Sequence, residues 1–344
     1  MRDIRIVLFG LLALASVSVQ GVTVTKDITY TTAPSVMLEN FNGAVDPSTG
    51  LTQMTFDSIG GGVANYAYAA NAGPEGYATY NPTATSFNPA VYKSVRTRMA
   101  INRDNAGATT AQLYVTPVTG VNRVDVGVGT GTTLKETSFD IGATTANGGG
   151  LRLDPFNYAN DGTSDSLAID YFMADMGRTI GYEFEHDGDL NLTTANNASL
   201  SVANGLLSGT DTSGDSQIYM IGNGAPNPAI SADIYKYVEI RMKGDAGDRI
   251  DFFWNTPARG SVTPKVDVDA AADGNWHTYL LDFTDEVDWT GNLTFARLDP
   301  VASNGATFEV DSVRFMETIP EPATLGMVAF LGVGILWIRR AFRM

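Results

Sequence analysis

The chain of 344 residues contains no cysteine and only two histidines, and these absences narrow its chemistry. Without cysteine there is no disulfide, thiol nucleophile, iron–sulfur cluster or cysteine-ligated zinc site. The two histidines, His186 and His277, each lack a histidine partner at the spacing of a metal-binding pair. Because no cross-link stabilises the fold, the chain needs a hydrophobic core, and its 44% hydrophobic residues can supply one.

Basic residues are also scarce. The chain has 22 Lys and Arg against 38 Asp and Glu, which gives a net charge of −16. A surface this acidic repels phosphate backbones and anionic headgroups, so we exclude nucleic acid as a partner. The same composition suits a solvated extracellular protein, and it is compatible with Ca²⁺, which prefers oxygen ligands.

Catalytic motifs are missing as well. The sequence has no Gly-x-Ser-x-Gly nucleophile elbow, no phosphate-binding loop and no His-Glu-x-x-His zinc motif. A pair of carboxylates could still serve a glycosidase, because any search among 38 acidic residues finds such a pair. We therefore predict that the protein is not an enzyme, and we keep polysaccharide hydrolase or lyase activity as an alternative.

Long helical periodicity is absent, and strand-like alternation takes its place. Val238, Ile240 and Met242 alternate with Glu239 and Arg241, which is the pattern of a strand buried on one face. The chain also has 36 glycines, which together with frequent Asn and Asp supply turns between short strands. The sequence therefore predicts an all-β protein.

The body of the chain is an internal repeat. Tyr92 recurs as Tyr235 and Met99 recurs as Met242, in both cases 143 positions later. Further landmarks recur in the same order, with small shifts in spacing: Asn40-Phe41 and Glu183-Phe184, Gly62-Val63 and Gly205-Leu206, Pro117 and Pro257, Phe139-Asp140 and Leu281-Asp282, Arg152-Leu153-Asp154-Pro155 and Arg297-Leu298-Asp299-Pro300, Ile169-Asp170 and Val310-Asp311. A period of this length corresponds to a domain. We predict two tandem β-sandwich domains, at residues 30–176 and 177–318.

The second copy also contains an ordered set of short motifs: Phe184-Glu185-His186-Asp187-Gly188, Gly205-Leu206-Leu207-Ser208-Gly209, the strand at 235–243, Trp276-His277-Thr278-Tyr279, Arg297-Leu298-Asp299-Pro300 and Phe308-Glu309-Val310-Asp311-Ser312-Val313. In this order they resemble the jelly-roll domains of the galactose-binding-like and carbohydrate-binding-module group. The resemblance implies a jelly-roll fold for both copies and a polysaccharide as partner. Because this fold hosts many functions, a structural biofilm or matrix protein whose sandwiches bind no ligand is the main alternative.

The N-terminal end has the composition of a leader. Arg2 and Arg5 precede an apolar run that is followed by small residues, which predicts a secretory signal peptide over residues 1–21. The body of the protein is therefore expected outside the cytoplasm.

The C-terminal end, residues 319–344, has three parts: Pro320-Glu321-Pro322, an apolar run at 323–338 and the arginines Arg339 and Arg340. The run predicts a transmembrane helix, and the arginines place its end in the cytoplasm. The tail resembles the PEP-CTERM sorting signal, which implies processing by the membrane enzyme exosortase. We expect export through the inner membrane, transient anchoring by this helix, and a final location at the cell surface or outside the cell.

One candidate carbohydrate site follows from the repeat. In the first copy the alternation over 111–115 turns Tyr114 outward. The repeat alignment, anchored on a proline in each copy, puts Trp254 at the place of Tyr114. Arg98 and Arg241 are outward on the preceding strand of each copy, so we expect an aromatic–arginine platform for a sugar ring. Packing of Trp254 in the core is the alternative.

The resemblance also implies a structural Ca²⁺ between the opening segment and the closing strand of each copy. In the second copy the ligands would be Glu185, Asp187 and Asp311, and in the first copy Asn42 and Asp170. The alternative at 187–189 is a simple turn.

Overall fold

The computed structural model describes residues 16–19, 21–30, 32–41, 46, 48–60, 62–68, 76–80, 88, 91–102, 108–115, 123–129, 131–142, 150–156, 165–185, 187–191, 193–225, 229–260 and 263–319. The regular structure in these ranges is all antiparallel β-strand, which confirms the predicted fold class. Within them no helix is long and apolar enough to cross a membrane. The predicted span at 323–338, the motif at 320–322, Arg339, Arg340 and residues 1–15 of the leader lie outside the described residues.

The first copy of the repeat forms two facing sheets. The six-stranded sheet has the order β11, β8, β13, β6, β5, with β3 also paired to β13: β3 (Ser35–Glu39), β5 (Met54–Gly60), β6 (Val63–Tyr68), β8 (Ser94–Asn102), β11 (Lys135–Asp140) and β13 (Ser166–Asp175). The five-stranded sheet has the order β10, β9, β12, β7, β4: β4 (Ser48–Thr52), β7 (Gly76–Tyr80), β9 (Ala108–Val115), β10 (Arg123–Gly129) and β12 (Leu151–Phe156).

The second copy forms an equivalent pair. Its eight-stranded sheet has the order β1, β2, β22, β19, β24, β17, β16, with β14 also paired to β24: β1 (Ser16–Val19), β2 (Val22–Lys26), β14 (Thr179–Glu183), β16 (Ala198–Ala203), β17 (Leu206–Asp211), β19 (Tyr237–Gly244), β22 (His277–Asp282) and β24 (Thr307–Met316). Its five-stranded sheet has the order β15, β18, β23, β20, β21: β15 (Thr194–Asn196), β18 (Gln217–Ile221), β20 (Ile250–Asn255), β21 (Lys265–Asp269) and β23 (Phe295–Asp299).

Each sandwich has its own hydrophobic core between its two sheets. The first core draws its residues from 36–176, and the second from 180–315 together with Val22 and Val24. Local turn chemistry fits the strand connections: Asn204 and Gly205, with φ of 55° and 78°, join β16 to β17 as a two-residue Asn-Gly hairpin. The β-sandwich architecture is thus as predicted.

The strands nearest the N-terminus belong to the second sandwich. β2 pairs with β22 along its edge, and Val22 and Val24 are buried in the second core. The Asp27 carboxylate lies 2.7 Å from Nδ1 of His277. The chain therefore enters the second sandwich first, passes through the first sandwich and then returns. Residues 22–28, which fall outside both predicted domain ranges, complete the second sandwich.

The two sandwiches pack through the outer faces of their larger sheets. Arg96 and Glu136 point away from the first core, and Gly181 and Glu183 point away from the second. The Arg96 guanidinium binds Glu136 at 3.1 Å and Glu183 at 3.2 Å, and the Gly181 amide donates to Glu136 at 2.6 Å. The Arg96 side chain is 0% exposed. Arg96 and Arg98 alternate with uncharged residues along β8, which is the pattern of a strand with one face in solvent. In the structure both arginines instead contact the second sandwich.

Candidate functional site

The outer surface of each five-stranded sheet carries a dense set of polar and aromatic side chains. In β20, Ile250, Phe252 and Trp254 point into the second core, so Asp251 and Phe253 point outward. We call this surface face 2, and the corresponding surface of the first sandwich face 1.

Face 2 is organised in two rows that cross the strands, because residues paired between strands stand side by side. Lys265, Phe253, Arg297 and Tyr219 form a cationic and aromatic row over β21, β20, β23 and β18. The adjacent row consists of residues with side-chain oxygens: Asp267, Asp251, Asp299, Gln217 and Asn196.

The cationic row is held by stacking and ion pairs. The Arg297 guanidinium lies 4.1 Å from the centroid of the Phe253 ring and 5.9 Å from that of Tyr219. Its Nη2 binds Asp299 at 2.6 Å. Lys265 in turn binds Asp251 at 3.2 Å. An arginine in such a position covers an aromatic ring with its planar group and keeps its N–H edge available for hydrogen bonds.

In the oxygen row, burial and neighbouring carboxylates oppose the ionisation of two aspartates. Burial raises the pKa of Asp299 to about 7; Arg297 counteracts this shift, while Asp215 and Asp251 add to it. Burial and the neighbouring Asp251 charge also raise the pKa of Asp267. Buried polar atoms are normally hydrogen-bonded, yet Oδ1 of Asp267, Oδ1 of Asp299 and Nε of Arg297 have no hydrogen-bond partner within the described residues.

Face 1 has a corresponding arrangement, with Thr79 at the place of Tyr219 and Gln112 at the place of Asp251. Its cationic row is Arg123, Tyr114, Arg152 and Thr79, and its oxygen row contains Asp125, Gln112 and Asp154. The Arg152 guanidinium lies 4.9 Å from the Tyr114 ring centroid and 3.6 Å from that of Tyr77. Its Nη2 binds Asp154 at 2.6 Å. The two sandwiches therefore share a basic residue, an aromatic residue and an arginine in one row, beside at least two acids in the next.

The predicted orientation of Trp254 is wrong. Its side chain is 1% exposed and packs against Phe283 and Trp289, with ring centroids 5.7 and 5.1 Å apart. The pairing of Tyr114 with Arg152 corresponds to the pairing of Phe253 with Arg297, so the structural counterpart of Tyr114 is Phe253. The proline-anchored alignment was displaced by one residue, and one residue moves a side chain to the other face. Tyr114 is half-buried on the outer side, as predicted.

The expected partnership of these aromatics with Arg98 and Arg241 is also wrong, because consecutive strands belong to opposite sheets. Arg98 on β8 is 4% exposed at the junction, where it binds Asp170 and Asp189, each at 2.7 Å. Arg241 on β19 lies on the outer face of the eight-stranded sheet, 5.5 Å from the Trp276 ring centroid. The structure therefore does not bring either arginine to Tyr114 or Trp254.

The predicted calcium ligands are occupied by other interactions where the structure describes them. Asp170 and Asp311 sit at equivalent β-bulges, where Asp170 binds Arg98 and Asp311 binds Arg241 at 3.2 Å. Asp187 is exposed and accepts a hydrogen bond from the Asn204 amide at 2.8 Å. Asn42 lies outside the described residues. Within those residues no three acidic or histidine side chains converge as a metal site would need, and Ca²⁺ binding, including a role for Glu185, stays a prediction.

The Arg-Leu-Asp-Pro motif serves in the sequence as a landmark of the repeat and as part of the family resemblance, but it was not assigned to a binding site. Its alternation already places Arg297 and Asp299 on one face of their strand and Leu298 on the other. The same reasoning applied to Arg152 and Asp154 would have marked one arginine–aspartate pair per copy. The residues that were missed are Phe253, Arg297, Asp299, Asp251, Lys265, Arg152, Asp154 and Gln112.

No family model and no curated protein matches the chain. Among solved structures, it is similar to a variant of the family 29 carbohydrate-binding module CBM29-2, at 12% identity and TM-score 0.31, over 41% of this chain and 92% of that module. It is also similar to the tandem CBM22-1–CBM22-2 modules of Xyn10C from Paenibacillus barcinonensis, at 12% identity and TM-score 0.32, over 84% of this chain and 99% of that one. A third is the module BiXyn10A CBM1, at 11% identity and TM-score 0.28, over 41% and 98%.

Proposed function

We propose that the protein is a non-catalytic polysaccharide-binding protein whose binding surfaces are faces 1 and 2. The observation that carries this proposal is the duplication of the two-row arrangement around Tyr114 and Phe253. Packing of the core explains why inward-facing residues are similar in the two copies. It does not explain why an aromatic residue, an arginine and an aspartate recur at equivalent outward-facing positions of both five-stranded sheets.

The chemistry of the two rows matches that of a sugar ring. A pyranose has apolar C–H faces, which bury well against an aromatic ring, and a rim of hydroxyl groups. The half-buried rings of Phe253 and Tyr114 supply the apolar contact. Carboxylate oxygens of Asp299 and Asp154 accept hydrogen bonds from hydroxyls, and the guanidinium groups donate to them. Hydrogen bonds to charged groups contribute about 1.5–3 kcal/mol each, more than neutral ones.

The charges of face 2 favour a neutral polymer. Lys265 and Arg297 are each paired with an aspartate of the oxygen row, so the face offers no surplus positive charge to an anionic chain. The net charge of −16 repels such a chain further. Neutral polysaccharides are therefore the proposed ligand class.

The proposal is tested by one aromatic variant per face. Binding to cellohexaose, glucomannan and arabinoxylan is measured by calorimetry, with alginate as the anionic comparison. Phe253→Ala and Tyr114→Ala should each remove one set of sites or weaken it about tenfold, equivalent to about 1.4 kcal/mol. Trp276→Ala is the matched control, because Trp276 is also half-buried beside two cations but lies just before β22, away from both faces. Equal binding by the parent and by the variant altered on both faces would refute the proposal.

Two further parts of the proposal concern processing and catalysis. Export, transient membrane anchoring and exosortase processing are proposed from the leader and from the Pro320–Pro322 tail. The intact mass of the protein recovered outside the cell tests them. Retention of residues 323–344 in a host with exosortase would contradict removal of the tail.

The raised pKa of Asp299 beside Asp251 is a feature that a glycosidase acid would also need. Assays for new reducing ends and for unsaturated sugars should be negative; product release that Asp299→Asn abolishes would favour the enzyme alternative.

A further inference from the structure

Faces 1 and 2 lie on opposite sides of the molecule. Each sandwich has its five-stranded sheet on one side of its core and its larger sheet on the other. The outer faces of the two larger sheets meet at the junction, where Arg96 of the first sandwich contacts Gly181 and Glu183 of the second. The layers therefore follow the order five-, six-, eight- and five-stranded sheet. The two faces are the outer surfaces of the first and last layers, so they point away from each other.

The junction holds this arrangement in place. Arg96 binds Asp175 at 3.1 Å in addition to Glu136 and Glu183, and Arg314 binds Glu183 at 2.7 Å. The contacts that join the two sandwiches are Arg96–Glu183, Arg98–Asp189 at 2.7 Å and the hydrogen bond from the Gly181 amide to Glu136. Turning the faces to the same side would break these three contacts and uncover their charges. The chain also crosses the junction twice, from β2 to β3 and from β13 to β14, because β2 belongs to the second sandwich. Two covalent connections restrict rotation more than the single linker of a simple tandem pair does.

Packed sheets lie about 10 Å apart, so the two five-stranded sheets are separated by about 30 Å. A stiff linear polymer that lies along face 1 cannot reach face 2 without bending around the full thickness of the protein. We infer that one protein molecule holds two separate polysaccharide chains, one on each face, and so cross-links them. This inference rests on the proposed function and adds that the two faces bind different polysaccharide chains.

A capture assay tests the cross-linking. Glucomannan is fixed to a sensor surface, the protein is bound, and fluorescent soluble glucomannan is then added. The parent protein and Trp276→Ala should capture the soluble polymer. Phe253→Ala and Tyr114→Ala should still bind the surface but capture at least tenfold less, and a mixture of the two should not restore capture. Lys265→Glu and Arg123→Glu, at the half-exposed edges of the faces, serve as a second pair if an aromatic variant melts early.

The affinity for the surface distinguishes cross-linking from two-point binding to one chain. If the faces engage separate chains, losing one face should weaken surface binding only about twofold. If both faces engage one chain, the loss should be about 10²- to 10⁴-fold, because avidity disappears. That larger loss, or surface binding by the parent without capture, overturns the cross-linking while leaving the proposed function intact. No binding of the parent to the glucomannan surface or to any other neutral polymer tested overturns both.

Discussion

Arg96 is predicted to be the residue on which the junction depends most. Its side chain is 0% exposed, and it binds Glu136, Asp175 and Glu183 at 3.1, 3.1 and 3.2 Å. Arg96→Met keeps much of the volume but leaves buried carboxylates without their counterion. Breaking a buried ion pair from one side costs about 3–5 kcal/mol. For domains of 150–250 residues, each kcal/mol lowers the melting temperature by about 2–4 °C.

The exposed pair of Arg178 and Glu317 is the matched control. Its atoms approach to 2.8 Å, but its side chains are 36% and 32% exposed, so solvent screens the interaction. Arg178→Met should therefore cost at most about 1 kcal/mol. Both variants are compared by urea denaturation with fluorescence detection. A loss for Arg96→Met no larger than that for Arg178→Met would refute the idea that the buried network holds the sandwiches together.

The pH dependence of the Arg96 effect has a definite sign. Burial opposes ionisation of Glu183, but Arg314 and Arg96 outweigh it and hold the pKa of Glu183 below its usual value. A carboxylate with a lowered folded-state pKa contributes stability above its unfolded pKa, about 4.3, and that contribution is lost as pH falls through the folded value. Burial raises the pKa of Glu136, the other glutamate partner of Arg96, so its share of the effect is lost at higher pH than that of Glu183. The difference between parent and variant should thus be full at pH 7 and shrink progressively as the pH falls to 3. An equal difference at pH 7 and pH 3 would mean that packing, not charge, causes the loss.

Two further predictions concern the N-terminal strand of the second sandwich. Burial lowers the pKa of His277, but hydrogen bonds to Asp273 and Asp27 outweigh this effect and raise the pKa overall. The stabilising contribution of these hydrogen bonds should be complete below about pH 6.5 and lost as the pH rises through the folded-state pKa. Between pH 6 and pH 8.5 the melting temperature should therefore fall more for the parent than for His277→Gln. Removal of residues 16–28 should cost about 2–5 kcal/mol, because it exposes the sites of Val22 and Val24 and the edge of β22, whereas a truncation that ends before Val22 should cost little.

The sequence allowed the fold class and the repeat to be predicted, because both depend on patterns that repeat over many positions. It failed at β20 because Ile250-Asp251-Phe252-Phe253-Trp254 has large aromatics on both faces. Alternation distinguishes faces only where one is polar, so here a single-residue displacement in the alignment decided the outcome. The pairing of β2 with the second sandwich was not predictable either, because alternation identifies a strand but not the sheet it joins.

The outward arginines of β8 illustrate a more general limit of prediction from sequence alternation. Their contacts also underlie the proposed arrangement of the two faces. Alternation reports only that Arg96 and Arg98 avoid the core of their own sandwich. It does not distinguish water from a second domain that supplies carboxylates, such as Glu183 and Asp189. Once the larger sheets are joined through these pairs, part of their outer faces is covered, while the outer surfaces of the two five-stranded sheets lie away from the junction. Duplication of one sandwich and packing of the copies back to back therefore give two opposed faces, and under the proposed function this is the arrangement that a cross-linker of polysaccharide chains requires.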